Sequence, residues 1–166
     1  MKFDRFQSLV AMMLEPDDQG GIRERHTAPT EYDVRQMNSL VLAYVGDAYF
    51  SLYVRTRLLA FDQSNVRALH AFSAQIVSAV WQHRAYLAIE SMLTDDEKAI
   101  YRRARNTKSH APRSSTVAEY HSSTGFEALL GSLYLRHETS RLEELSAAAF
   151  QSITNAMMKE SQEKEN

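Results

Sequence analysis

The chain has 166 residues, a formal net charge of −2, 44% hydrophobic and 24% charged residues, which suits one globular domain with a core of its own. It contains no cysteine, so disulfides and thiolate metal sites are excluded and a reducing cytoplasm is the expected location. The longest apolar run, 40–54, is too short for a membrane span and contains Asp47, so no membrane contact is expected.

With three prolines, five glycines and no strand-like alternation, the spacing of apolar residues predicts an all-α domain of six to seven helices. Phe3, Phe6, Leu9, Val10, Met13 and Leu14 form one face of a leader helix that Pro16 and Gly20-Gly21 end, so residues 1–30 read as leader helix and loop. The N-terminus lacks the features of a signal peptide. A long apolar helix is expected from about Asp33 to Leu59, then a third from a Ser64 cap that faces Val66, Leu69, Ile76, Val77, Val80 and Trp81 inward. A further turn or two covers Ala85 to Met92. Three capping boxes follow, Thr94 with Glu97, Thr116 with Glu119 and Ser140 with Glu143, which give those glutamates structural work at helix starts. The main body is placed at 31–158, and the charged tail 159–166 is expected to be disordered.

Two acids stand out because their surroundings are apolar. Asp47 lies in LVLAYVGDAYFSLYV and Glu127 in TGFEALLGSLYL. Helices apolar nearly all round are buried ones, and a carboxylate away from water must be paired, protonated or bound to a cation. Two such helices suggest one shared divalent cation. Gly46, Gly125 and Gly131 fall in the same two segments; each costs about 1 kcal/mol against alanine inside a helix, so close backbone approach is expected there. The charge is also uneven. Residues 98–118 hold Lys98, Arg102, Arg103, Arg105, Lys108 and Arg113 and no acid, so the remainder carries −8. A basic patch on an acidic chain points to a localised polyanion contact. The six histidines lack zinc-site spacing.

The segments MNSLVLAYVGDAYFSLYVRTRLL, RRARNTKS and STGFEALLGSLYL, in that order, resemble the catalytic domain of ribonuclease III. The likeness is closer to the small branch, Mini-ribonuclease III, which has no separate double-stranded-RNA-binding domain. It covers about 31–150. It implies a metal-dependent endoribonuclease that cuts double-stranded RNA to 5′-phosphate and 3′-hydroxyl ends. The family's signature acids correspond to Asp47 and Glu127, expected as catalytic metal ligands for Mg²⁺, with Mn²⁺ as a substitute. Larger family members carry further acids where this chain has Ala43 and Thr124, which implies fewer protein ligands and more water on the metal. Thr124 and Ser51 are expected in supporting roles behind the ligands.

Lys108 and Arg113 are expected to meet RNA phosphates, and Asn106 and Ser109 its sugar hydroxyls. At least one of Arg102, Arg103 and Arg105 should be intramolecular, since the three cannot share a helix face. The resemblance also implies a homodimer, with the Asp47 helix as seam and Tyr44, Tyr49, Phe50 and Tyr53 as interface aromatics. By its branch, the substrate would be a large-subunit (23S) ribosomal RNA precursor stem, with an accessory ribosomal protein as partner. Competing readings are a non-catalytic RNA-binding module, favoured by Ala43 and Thr124, and an unrelated helical phosphohydrolase, which would need a His/Asp cluster.

Overall fold

The computed structural model describes residues 2–14, 32–107 and 115–165. Among these, secondary structure is helical throughout, seven α-helices and one 3-10 turn without a strand, as the apolar spacing predicts. No described helix is long and apolar enough to cross a membrane. Helix α1 (Lys2–Leu14) belongs to a unit of its own, residues 1–32, and the body is residues 33–166.

Helix α2 (Ser39–Leu58) starts later than its apolar run suggests. Asp33 accepts from the Arg35 backbone N–H at 3.2 Å and from Gln36 Nε2 at 2.8 Å, which fixes a turn. Asn38 then caps the helix by accepting from Leu40 N–H at 2.8 Å. The expected third helix is two. Helix α3 (Val66–Ile76) is capped by Asn65, because the Ser64 hydroxyl is taken by Asp62 at 3.0 Å. Helix α4 (Ala79–Ile89) begins after Ser78 and runs into the 3-10 turn Glu90–Met92. The split turns Val66 outward, 79% exposed, while Ile76 and Trp81 are buried.

Helices α5 (Asp95–Arg105) and α6 (Val117–Leu135) open with the two expected capping boxes, at Thr94/Glu97 and Thr116/Glu119. Glu97 does more than cap. It is 4% exposed and takes a two-pronged contact from Arg141, at 2.8 and 2.9 Å, which holds its carboxyl below the usual carboxylate range. The third box does not form. At the end of α6, His137 adopts φ 56°, His137 N–H reaches Tyr134 O at 3.1 Å and Glu138 N–H reaches Leu133 O at 3.0 Å. This reversal delivers the chain into α7 (Thr139–Glu165) with Glu138 O accepting from Leu142 N–H at 2.9 Å. Ser140 therefore sits inside the first turn, and Glu143 pairs with Arg57. The tail expected to be disordered from 159 is instead the last turns of α7, where Glu160 pairs with Arg84.

Helix α6 is the axis of the body and packs on α2, α4, α5 and α7. Its tightest neighbour is α2. A Cβ on Gly46 would overlap the Glu127 carbonyl oxygen and lie 2.6 Å from its carbon; one on Gly131 would overlap the Leu42 carbonyl oxygen. Both glycines are thus required by backbone-to-backbone approach. Around this seam Phe50 meets Phe126 edge-on at 5.1 Å, with Leu129, Leu130 and Leu133 fully buried; each such side chain stabilises by about 1.5–3 kcal/mol.

Helix α2 is apolar on two faces, and the body buries only one. Leu42, Gly46, Phe50, Tyr53 and Val54 face inward, whereas Leu40, Val41, Tyr44 and Leu52 are exposed, Tyr44 at 79%. Of the four aromatics expected at a seam between subunits, Phe50 and Tyr53 are therefore core residues, because they lie on the α6-facing side. Tyr49 is half-buried against Tyr134 and Tyr53. Only Tyr44 of the four stands free.

Candidate active site

The Gly46 contact decides where the site lies. Gly46 sits against the backbone of Glu127, so the next residue, Asp47, is carried to the same place as Glu127. Both line a cleft of about 610 Å³ together with Leu40, Ala43, Tyr44, Ser78, Ala79, Val80, Ser115, Tyr120, Ser123 and Thr124. Asp47 is exposed and Glu127 half-buried. The expectation that both acids are drawn to one place thus agrees with the packing, although Asp47 keeps its access to water.

The two carboxylates disagree electrostatically. Burial pushes the Glu127 carboxyl up from its ordinary 4.5 to about 8, with repulsion from Asp47 adding to it and a contact from the Gln82 side chain opposing it. The ionised form of Glu127 is thus disfavoured in the cleft, and a cation beside it would offset both the repulsion and part of the desolvation penalty. Among the described residues no group of three or more His, Asp or Glu side chains forms a metal cluster. Two carboxylates facing an open cleft fit a hard cation that keeps several waters, as Mg²⁺ does.

Ala43 and Thr124 line the same cleft, so the two positions where larger family members carry additional acids do face the site. Thr124 is buried and its hydroxyl donates to Tyr120 O at 3.0 Å, which fixes the side chain without consuming its acceptor capacity. Ser51 is half-buried on α2 and is not part of the cleft lining. Asn106 is exposed at the C-cap of α5, also away from the lining. Lys108, Ser109 and Arg113 lie outside the described residues. Of the three neighbouring arginines, Arg103 is intramolecular, donating to Val34 O at 3.0 Å and to Arg35 O, and Arg102 Nε also donates within the chain, to Lys98 O at 3.2 Å.

The opposite wall of the cleft is the start of α4. Ser78 caps it without a side-chain hydrogen bond, and the first-turn residues Ala79 and Val80 join the lining, so the positive end of this helix adjoins the carboxylates. One turn further, Gln82 is fully buried. Sequence reasoning passed over it, because a glutamine on an amphipathic helix reads as solvated; only the packing of α4 on α6 buries it.

The model of the ribonuclease III domain matches residues 40–138. The chain is 44% identical over 117 residues to the Mini-ribonuclease 3 of Enterococcus faecalis, covering 68% of this chain and 88% of that one. It is 40% identical over 134 residues to the Mini-ribonuclease 3 of a Thermoanaerobacter species, covering 80% and 94%. A crystal structure of the Fusobacterium nucleatum protein FN1578 superposes with a TM-score of 0.66 at 32% identity, covering 73% of this chain and 98% of that one. The acids, the glycines that bring them together and these likenesses agree: the chain belongs to the ribonuclease III family, in its Mini-ribonuclease III branch, and is an endoribonuclease.

Proposed function

We propose that this endoribonuclease cleaves double-stranded RNA as a homodimer, using a divalent cation, Mg²⁺ or Mn²⁺, held by Asp47 and Glu127. The observation that carries the reading is the shared cleft, in which the close approach of Gly46 to the Glu127 backbone puts the two acids side by side. When bound, the cation supplies Lewis-acid stabilisation of the scissile phosphate and a more acidic water. Asp47, exposed at the cleft, and Glu127, half-buried beside it, would hold the cation between them. Thr124, pinned to Tyr120 O, presents a fixed hydroxyl to the cleft. The start of α4 adds positive potential for a phosphate. Ser51 supports α2 from outside the lining.

Lys108 and Arg113 would contact backbone phosphates and Asn106 and Ser109 the sugars, giving affinity that falls steeply with salt. The exposed apolar face of α2, with Leu40, Val41, Tyr44 and Leu52, supports the homodimer, since a patch of this kind marks an interaction surface. The biological substrate we assign is the stem of a large-subunit ribosomal RNA precursor, with a ribosomal protein as accessory partner, in a cytoplasmic setting. The test is end-mapping on that stem and on an unrelated duplex of equal length, with and without precursor-bound ribosomal proteins. Specific cuts on the stem with 5′-phosphate ends support the assignment; equal, scattered cutting of both duplexes removes it.

A further inference from the structure

Three hydroxyls follow one another in α6 and are used differently. Ser123 and Thr124 both donate back to Tyr120 O, whereas Ser122, buried at 1% exposure, bonds to two other helices. Its Oγ lies 2.8 Å from the Tyr101 hydroxyl of α5 and 2.7 Å from His83 Nδ1 of α4. Tyr101 is buried and has Ser122 as its hydroxyl partner among the described residues, so its O–H donates to Ser122 Oγ. The Ser122 O–H then donates to His83 Nδ1, and the imidazole carries its hydrogen on Nε2. His83 is half-buried, and its Nε2 is neither bonded nor buried without a partner among the described residues. The outer nitrogen therefore faces water as a donor.

The place of this donor matters. Ala79 and Val80 line the cleft, and His83, four and three residues on, shares their face of α4, about 5.4 Å further along the helix. The charged groups around it are already engaged. Glu119 of α6, which interacts electrostatically with His83, accepts from the Thr116 N–H at 2.8 Å and the Thr116 hydroxyl at 2.7 Å, and Arg84 pairs with Glu160. We infer that His83 is an RNA-binding residue at the rim of the cleft: Ser122 and Tyr101 hold its ring from inside, and Nε2–H donates to a backbone phosphate next to the one being cut. This rests on the reading that the cleft takes double-stranded RNA. Ser122 could satisfy its own hydroxyl by back-bonding, as Ser123 and Thr124 do, so what the cross-helix chain adds is a fixed imidazole. A ring already held in one orientation loses little freedom on binding, and a bond to a charged phosphate is stronger than one between neutral groups.

The test uses His83→Asn and His83→Gln in the full chain. Asparagine keeps a polar atom near Nδ1 for Ser122 and lacks the outer donor; glutamine places an N–H near Nε2 and gives up the Ser122 contact. Binding of a short blunt RNA duplex in EDTA, kcat and KM for its cleavage in Mg²⁺, and Tm are measured for each. The inference expects His83→Asn to keep the native Tm and lose about tenfold in affinity, with KM rising in parallel and kcat changing less. His83→Gln should recover most of the affinity although its Tm falls. Native-like affinity and KM in His83→Asn overturn the inference alone. Equal loss of affinity in both variants alongside a falling Tm, or failure of both to fold, overturns it by making His83 a packing residue, and a fall in kcat at native affinity overturns it as a binding role. If the native chain neither binds nor cuts the duplex, the double-stranded-RNA reading fails and takes the inference with it.

Discussion

Glu127→Gln should make the metal-free protein more stable, and only at higher pH. In the fold, burial and Asp47 raise the Glu127 carboxyl from its ordinary 4.5 to about 8. Between those values the folded chain holds a proton that the unfolded chain has released, so native stability falls as pH rises across that window and levels off above it. At 1.36 kcal/mol per pH unit the ceiling is about 5 kcal/mol; because Glu127 is only half-buried, solvent screening lowers the expected gain to about 2–3 kcal/mol. Glutamine is isosteric with the protonated acid, so native and variant should agree at pH 5 and diverge by pH 8.5. The assay is urea unfolding in EDTA at several pH values, with the slope against urea checked for constancy. Saturating Mg²⁺ should abolish the advantage of the variant, because only the native carboxylate gains the cation. Identical pH dependence of the two proteins in EDTA would refute the electrostatic reasoning. Asp47→Asn should recover a smaller share of the same gain, since repulsion is the second cause and burial the first.

Gly46→Ala and Gly131→Ala should each destabilise by about 3 kcal/mol or more, because the new methyl meets backbone oxygen that cannot move aside; calorimetry checks this, and a small change would mean that the α2–α6 seam is loose. Arg141→Ala should cost about 3–5 kcal/mol by stranding buried Glu97. Because the Glu97 carboxyl is held below its usual range, its contribution is present at neutral pH and disappears as pH falls through the folded value, so native and Arg141→Ala should converge in acid unfolding. His137→Gly should add about 1 kcal/mol, since φ 56° is a conformation glycine adopts without a Cβ penalty; a decrease in Tm would show that the imidazole contributes more than the strain costs.

What could be read from the chain divides along physical lines. Thr94/Glu97 and Thr116/Glu119 were legible because a capping box needs only three residues of local geometry. Ser140/Glu143 has the same spelling and failed, because the preceding reversal at His137 starts α7 two residues early, at Thr139. Gly46 and Gly131 announced a close approach, and Asp47 and Glu127 a shared site, because both patterns are costly unless used. The break between α3 and α4 left no trace beyond Ser78, since the apolar period runs across it. Which side of α2 faces the core was also hidden: with apolar residues all round, only the partner α6 selects Phe50 over Tyr44. Gln82 could not be found at all from its own helix, because its burial and its neighbour Glu127 are products of tertiary packing.

The central claim, that Asp47 and Glu127 together hold the cation that drives RNA cleavage, is tested most directly by incubating a long double-stranded RNA with the native chain, Asp47→Asn and Glu127→Gln in Mg²⁺, after each protein is shown to be folded and of the same oligomeric state. The account predicts cutting by the native chain to 5′-phosphate ends and a loss of at least about a hundredfold in each variant, of the size expected when a key electrostatic group is removed. Native-like cleavage by either variant, or cleavage by the native chain undiminished in EDTA, would contradict it.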